Sequence, residues 1–423
     1  MNTLQTIFTL ALSLYGFFSS FSISLQQIFF ASAIVVFLIA ISKKNTWPRL
    51  RWRTYYVIFL IWMSWRLIHV VISPQPWKEL YEFREMWLFL MFILIADGLI
   101  PLSFLNGKEK SFLWGKSPLE ILVLAMLAGA TFVSLFNLGV MLERKDNLFL
   151  TDFRARGLGE QNALTFSGAV SFALVLGGAL IYKMRLAFKA KGVKSKVYFL
   201  VVLILFLGTV LAFILAKARG GYLAFFLTIL AMAFFLRPKQ ALIVYSAVLL
   251  FSLGLLFLFP GMRGYFAKAL PRPGQHENTM EQRRDLWLAG IAMIREKPFV
   301  GWGDAGFYEN YHRFRVEGAH GVAKHGSHMH NDMLNTWVFY GIPGLVLYLL
   351  FFAHPLYEFL KIKNRAHPEY PFLYASFFAI VFLFFQGLSQ CHFSDDEVVT
   401  LFWLNTGAFY ALKERICGEL PAQ

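Results

Sequence analysis

Residues 325–357 read HGSHMHNDMLNTWVFYGIPGLVLYLLFFAHPLY, so a histidine-rich polar segment runs directly into a long apolar run. An apolar run of roughly 18 residues or more is long enough to cross a bilayer as an α-helix. Such runs recur along the whole chain, and 57% of its residues are hydrophobic. The pattern predicts an all-α, polytopic membrane protein rather than a soluble globular domain.

About twelve membrane spans are expected, within a single integral membrane domain that covers residues 1–423. They are placed at 3–19, 23–42, 55–72, 86–104, 118–140, 162–182, 197–215, 221–236, 241–260, 332–357, 371–388 and 397–412. A long polar loop, residues 261–329, separates the ninth span from the tenth and is expected to be partly helical.

Lysine and arginine in the connections predict the orientation of the chain. Basic clusters such as those at 43–53 and 183–196 fall on one side if Met1 is cytoplasmic, and positively charged loops are retained in the cytoplasm. Both termini are then expected inside and the long loop outside. Cys391 and Cys417 fall on opposite faces, which predicts that they form no disulfide.

The formal charge of the chain is +15, with 40 Lys and Arg against 25 Asp and Glu. Many of the basic residues fall in outer loops, where cytoplasmic retention does not explain them, and Arg66 falls inside a span. Lipid phosphate or diphosphate is the expected partner at that boundary, and nucleic acid is not. The alternative is that these residues pair with lipid headgroups or with Glu79, Glu82 and Glu85.

Two glycine-flanked arginines stand at the outer ends of spans. The stretch RARGLGEQN at 154–162 places Arg156 and Asn162 at the start of the sixth span. This stretch either forms part of a ligand pocket or is only a basic loop in which the glycines allow the chain to turn back into the membrane. The stretch ARGGY at 218–222 places Arg219 at the start of the eighth span. There it either extends to lipid headgroups or binds an anion.

Residues 281–297 predict an amphipathic helix that ends at Pro298. At about 100° per residue, Arg283 lies within the buried stripe of this helix and Arg284 points almost oppositely. A charge on the packed face requires a partner, either a phosphate oxygen or a carboxylate such as that of Asp304. Arg284 takes the place of Arg283 as the ligand contact if the helical phase differs.

Three histidines, His325, His328 and His330, precede the tenth span. Their spacing matches no familiar metal site, and the outer loops contain no Asp-x-Asp pair, so no metal is expected. A histidine at a helix start has a lowered pKa, which keeps the imidazole neutral and able to accept a proton near neutral pH. His330 is the expected general base.

The topology relates these sites to one another. The sixth, eighth and tenth spans all run from outside to inside, so Arg156, Asn162, Arg219 and His330 lie at helix N-termini. Unpaired N–H groups and the helix dipole favour an anion there. The sequence therefore predicts that these helix ends converge on one diphosphate beside a general base, which is the arrangement needed for glycosyl transfer.

Five short motifs, in this order, resemble the pattern of the O-antigen ligase and polymerase superfamily. They are Arg156-Gly157 with Asn162, Arg219-Gly220-Gly221, Arg283 with Trp287, Pro298 with Gly301-Trp302-Gly303, and His328-x-His330-Asn331 followed by Gly341-Ile342-Pro343-Gly344. The motifs cover roughly residues 150 to 344, and the layout of the spans extends the resemblance to nearly the whole chain. Within the superfamily, the chain most resembles the O-antigen ligases of Gram-negative bacteria.

The resemblance implies a bacterial inner-membrane glycosyltransferase of lipopolysaccharide biosynthesis with a periplasmic active site. It implies transfer of a preassembled glycan en bloc from undecaprenyl diphosphate to a sugar hydroxyl of lipid A–core. Inversion at the anomeric carbon, without metal or cofactor, is expected. The roles expected are catalytic for His330, Arg219 and Arg283, and substrate-binding for Arg156, Asn162, Arg284, His328 and Asn331.

Three other functions remain open. An O-antigen polymerase uses the same chemistry with a lipid-linked glycan as acceptor. A protein O-oligosaccharyltransferase glycosylates Ser or Thr of a pilin, but no extra C-terminal periplasmic domain is visible to recruit one. A transporter would place ionisable residues deep in its spans, where Arg66 and His69 are almost alone. Asp395, Asp396 and Glu397 receive no predicted role.

Overall fold

The computed structural model describes residues 3–20, 22–42, 51–103, 116–144, 163–188, 193–236, 238–239, 241–243, 245–246, 250, 279–326 and 328–418. Every regular element within these residues is a helix, which confirms the predicted all-α class. Among the described residues, eight helices are long and apolar enough to cross a membrane, and two apolar helices, Thr3–Phe18 and Arg219–Phe234, are shorter.

The helices are named in chain order. They are α1 (Thr3–Phe18), α2 (Ile23–Ser42), α3 (Thr54–Ile72), α4 (Pro76–Leu102), α5 (Pro118–Glu143), α6 (Ala163–Phe188), α7 (Val193–Ala216), α8 (Arg219–Phe234), α9 (Thr279–Glu296), α10 (Gly303–Phe314), α11 (Val322–His325), α12 (Asp332–Leu360), α13 (Tyr370–Gly387) and α14 (Asp396–Ile416). The predicted spans fall on these helices, except that 241–260 lies almost wholly outside the described residues. The described part of the long loop contains α9, α10 and α11 and is partly helical, as predicted.

The largest difference at a predicted boundary among the described residues is about ten residues, because α4 begins at Pro76 and not near residue 86. Proline suits a first helical turn, since the N–H that it lacks would be unpaired there in any case. Glu79, Glu82 and Glu85 read as a polar loop by hydropathy. In the structure they lie three residues apart on one face of the first turns of α4, and Glu79 is buried.

Helix α14 lies in the core of the bundle and packs against α4, α6 and α13. Every residue from Val398 to Leu412 is buried. This burial explains how the helix accommodates polar residues, since Asn405 and Thr406 donate hydrogen bonds to the carbonyls of Leu401 and Phe402 one turn earlier.

Helices α9 and α10 are attached to α12 by a joint of backbone hydrogen bonds, where the Pro298–Gly303 motif contacts α12 near the Gly341–Gly344 motif. The N–H of Trp302 donates to the Val338 carbonyl over 2.9 Å, and the N–H of Ile342 donates to the Pro298 carbonyl over 3.0 Å. Gly301 has φ +78° and Gly341, which kinks α12, has φ +65°. A Cβ on Gly301 would lie 2.5 Å from the Phe339 carbonyl oxygen, so the joint requires glycine.

We expect Gly301→Ala to lower the free energy of unfolding by about 3 kcal/mol or more, because backbone strain adds to a clash with main-chain atoms. Gly318→Ala is a matched control, since Gly318 has φ +74° but nothing lies within 4 Å of its added Cβ. It should cost only about 1–2 kcal/mol. Thermal unfolding of both variants in detergent checks this, and equal losses would mean that the close contact at the joint contributes nothing.

Candidate active site

The turn that carries His328 and His330 is held in place by contacts with α9. The indole Nε1 of Trp287 donates to the Met329 carbonyl over 2.8 Å, and the Met329 N–H donates to Asn335 Oδ1 over 3.1 Å. Met329 is fully buried against Gly290, where an added Cβ would lie 2.7 Å from the sulfur. Trp287 lies one helical turn after Arg283, so the same helix fixes the histidine turn and the predicted arginine.

His328 and His330 form a pair whose ring centroids lie 4.1 Å apart. The backbone N–H of His330 donates to His328 Nδ1 over 3.2 Å, so a neutral His328 carries its proton on Nε2. His330 Nδ1 contacts Gln390 Oε1 at 3.2 Å, and this acceptor places the proton of His330 on Nδ1. His330 Nε2 is then the proton acceptor of the pair, and His328 Nε2–H is a donor.

His330 adopts φ +48°, a left-handed conformation that is uncommon for residues other than glycine. The bonds that hold Met329 and the His330 N–H maintain this conformation. Strain of this kind persists only where the surrounding structure fixes it, and it concentrates at functional sites. The turn therefore has the features of a preorganised site.

Burial, followed by the charges of His328 and Arg283, lowers the pKa of His330 to about 4. Burial also lowers the pKa of His328. The predicted direction is confirmed, but the main cause is desolvation, followed by the neighbouring groups, rather than the helix start. His330 is thus neutral throughout the physiological range.

Arg283 and Arg284 point in opposite directions, which confirms the predicted helical phase. The Arg284 side chain is 66% exposed and its Nη2 lies 3.0 Å from Asp285 Oδ1. Arg283 is partly buried, and its pKa is lowered by desolvation and then by the nearby charge of Arg219. The two predicted catalytic arginines therefore lie close enough to repel each other.

Asp304 is not the partner of Arg283, so the example of a carboxylate partner considered from the sequence is wrong. Asp304 Oδ2 lies 3.6 Å from Arg66 Nη2 and accepts a hydrogen bond from the Tyr340 hydroxyl. Among the described residues, no carboxylate forms an ion pair with the Arg283 guanidinium. A partly buried cation of this kind is suited to an anionic ligand.

Arg219 is the first residue of α8, and two glycines bring this helix end to the site. A Cβ on Gly220 would overlap Ser389, and one on Gly221 would overlap Ser167. Ser389 precedes Gln390, the residue that contacts His330. Since Arg219 also influences Arg283, the structure brings Arg219, Arg283 and His330 together.

The other residues considered as substrate or metal ligands are not all placed at the site. Arg156 and Asn162 lie outside the described residues, and their roles stay predictions. Asn331 caps α12, since its Oδ1 accepts from the Leu334 N–H over 2.9 Å and its Nδ2 donates to the Leu388 carbonyl over 3.0 Å. His325 is exposed. No group of three or more His, Cys, Asp or Glu within the described parts of the chain is arranged to hold a metal ion.

The connection before α14 contributes polar residues that the sequence reasoning missed. Besides Gln390, His392 is buried and its Nδ1 lies 2.9 Å from Asp395 Oδ2, which also accepts from the Thr165 hydroxyl over 3.2 Å. Asp395 tends to raise the pKa of His328. The available signal was a run of polar residues, 389–397, in a short connection between two apolar spans.

The fold and the site define a polytopic helical membrane protein in which arginines and a neutral histidine pair meet at the end of the bundle that carries α9–α11. A family model described as O-antigen ligase matches residues 201–349, which include Arg219, Arg283 and both histidines. The match supports the O-antigen ligase superfamily, as the motifs predicted, and the members of that family are membrane glycosyltransferase-like enzymes.

A curated relative, an uncharacterized protein of Haemophilus influenzae, is 25% identical over 196 residues. The alignment covers 43% of this chain and 48% of the relative, so the chain spans about half the length of that protein. Its name assigns no activity. The catalytic assignment of this chain therefore depends on the geometry of its own site.

Proposed function

We propose that the protein is an O-antigen ligase that transfers a glycan from undecaprenyl diphosphate to a sugar hydroxyl of lipid A–core. The observation that carries this proposal is the meeting of Arg219, Arg283 and the unprotonated His330. Arg283 forms no ion pair with a carboxylate in the described residues, so the site offers cationic charge to an anion beside a base.

In the proposed reaction, His330 Nε2 accepts the proton of the acceptor hydroxyl as its oxygen attacks the anomeric carbon. The bond from that carbon to the diphosphate oxygen breaks, and its electron pair stays with the diphosphate. Attack from the opposite face inverts the anomeric configuration. Arg219 and Arg283 stabilise the charge that grows on the leaving group, because guanidinium–phosphate contacts strengthen as that charge develops.

Other residues complete the proposal. His328, with a donor Nε2–H, orients the acceptor hydroxyl, and Arg156 and Asn162 bind the donor. Arg284 and Asn331 are already engaged by Asp285 and by the start of α12, and they play a smaller part. The reaction takes place on the periplasmic face of the inner membrane without a metal or cofactor, with both termini in the cytoplasm.

An acceptor comparison tests the ligase assignment. The purified protein is given an undecaprenyl-diphosphate glycan with lipid A–core, with a second lipid-linked glycan, or with a pilin peptide. A ligase extends lipid A–core alone. Elongation of the lipid-linked glycan would instead make the protein a polymerase, and glycosylation of the peptide would make it a protein O-oligosaccharyltransferase.

The pH dependence should follow the low pKa of His330. The neutral imidazole is the reactive form, so activity is present above the pKa and lost below it. We expect kcat/KM, which reports the free protein, to stay level from about pH 8 to about pH 5 and to fall only near pH 4. Bound diphosphate adds negative charge beside Arg283 and raises the pKa of His330, so kcat should begin to fall at a higher pH than kcat/KM.

Initial rates across this range, each with recovery of activity after return to neutral pH as the control for unfolding, check the prediction. A kcat/KM that falls between about pH 7 and about pH 6 would contradict the buried, neutral state of His330 in the free protein.

The proposed orientation predicts that Cys417 resists a membrane-impermeant thiol reagent applied to intact spheroplasts and reacts in inverted vesicles. The two cysteines form no disulfide, and because Cys391 is buried while Cys417 is exposed, labelling reports Cys417. Labelling in intact spheroplasts would place the proposed site on the cytoplasmic side.

A further inference from the structure

A cavity of about 210 Å³ lies between α3, α4, α10, α12 and α14 and extends to His328. Aromatic rings, among them those of Trp62, Tyr308 and Trp403, form much of its wall. Its polar lining includes Glu82 and Glu85. Neither Arg219 nor Arg283 lines it, whereas His328 of the histidine pair does.

Glu82 and Glu85 offer carboxylate oxygens to this cavity. They lie three residues apart on α4, on the face that turns to the cavity, and both are partly buried. Neither forms a hydrogen bond or an ion pair with any residue that the structure describes. Glu79, on the same stripe, differs, because its Oε1 accepts from the Ala305 N–H over 2.8 Å at the start of α10.

The positive charge of Arg66, in the cavity wall, is already balanced by a carboxylate. Arg66 pairs with Asp304 and lies 4.6 Å from the centre of the Tyr340 ring, and the Tyr340 hydroxyl donates to the same carboxylate. This arrangement leaves the oxygens of Glu82 and Glu85 as surplus acceptors. The buried guanidinium also disfavours a divalent cation as the occupant. A neutral ligand with several hydroxyl donors fits the lining best.

We propose that this cavity binds the terminal sugar residue of the acceptor glycan, with Glu82 and Glu85 accepting hydrogen bonds from its hydroxyls. A carboxyl group presents two oxygens that can accept hydrogen bonds from sugar hydroxyls, and the aromatic rings supply flat apolar surfaces for the sugar ring. The volume lies below the ~300–1,000 Å³ typical of sites for larger ligands, which limits the occupant to about one sugar residue.

The position of the cavity agrees with the proposed reaction, on which this inference rests. His328 lines the cavity, and His330 lies next to it on the side of the arginines. A sugar in the cavity therefore presents a hydroxyl to the histidine pair, while the diphosphate of the donor is held by Arg219 and Arg283. Glu82 and Glu85 become determinants of acceptor specificity.

The test is calorimetric binding of the core oligosaccharide, released from lipid A, to the purified protein in detergent. Glu82→Gln and Glu85→Gln keep the shape of the side chain and replace one acceptor oxygen with an NH₂ group that can only donate. Each should raise Kd by about 10-fold or more and raise the acceptor KM similarly, while the donor KM stays unchanged. Glu317→Gln, at an exposed carboxylate, is the matched control and should change neither value.

A second variant tests the cavity without changing either carboxyl group. Met86→Trp enlarges a partly buried side chain in the cavity wall without removing a hydrogen-bond partner, and it should also abolish oligosaccharide binding. Each variant must retain the wild-type melting temperature within a few degrees for its binding result to count as loss of the site.

The outcomes separate this inference from the proposed function. If transfer to lipid A–core occurs and the variants bind and react normally, the cavity is not the acceptor site and the ligase assignment stands. If the variants lose oligosaccharide binding but the wild-type protein transfers to no acceptor, the cavity is a sugar site and the ligase assignment is wrong. Binding of magnesium or calcium ions, lost in the same variants, would overturn the inference in favour of a cation site.

Discussion

Arg283→Ala should lower the rate of glycan transfer by at least about 100-fold, the scale expected for loss of one preorganised group that stabilises transition-state charge. Arg284→Ala is the control, because its exposed side chain pairs only with Asp285 among the described residues, and it should change the rate by less than about threefold. Single-turnover rates with donor and lipid A–core, at equal protein insertion, measure both effects.

Arg219→Ala should have an effect as large as that of Arg283→Ala. Lysine at either position should restore little activity, since an ammonium group cannot make the planar two-point contact of a guanidinium with phosphate. Full activity of both lysine variants would remove the basis for the diphosphate assignment. An Arg284→Ala defect equal to that of Arg283→Ala would show that net charge, and not the inward position of Arg283, matters.

His330→Ala should abolish transfer or nearly so, a loss of about 10²–10⁴-fold for a general base, while binding of the undecaprenyl-diphosphate donor survives. Donor binding survives because the arginines hold the diphosphate. His330→Asn is a useful second variant, because asparagine tolerates the left-handed backbone at this position and so separates loss of the base from a change in the turn. Rates and donor affinity are measured on the same preparations.

The exposed His325 provides the control for the histidine assignment. His325→Ala should be mild if His330 acts as a base, and severe if the three histidines hold a metal together. Activity should also be indifferent to a chelator, since a metal site would require several ligands and an open position. Loss of activity with chelator, restored by one added divalent ion, would remove His330 from the role of base.

Periodicity predicted the direction of the key side chains but not their partners. The helical repeat over 281–297 places Arg283 inward and Arg284 outward, as found. It does not show which carboxylate lies near each arginine, because Asp304 reaches Arg66 only through the packing of α10 against α4 and α12. The same limit applies to His330, whose low pKa depends on burial and on neighbours from other parts of the chain.

Hydropathy located most membrane helices and misplaced the start of α4. The acidic residues of its first turns resemble a loop in a hydropathy window, yet tertiary contacts with α10 bury Glu79 and turn Glu82 and Glu85 to a cavity. The sequence showed the two glycine motifs but not why glycine is needed in them. Their physical reason, two positive φ angles at one backbone joint, depends on residues that lie about forty positions apart in the sequence.

The most direct measurement is glycan transfer by the purified protein, with a defined undecaprenyl-diphosphate glycan, lipid A–core and excess chelator, followed by determination of the anomeric configuration of the product. The predicted result is a product with inverted configuration and one undecaprenyl diphosphate released for each glycan transferred, both lost in His330→Ala. A product with retained configuration, or no transfer until a divalent ion is added, would contradict the proposed direct displacement assisted by His330.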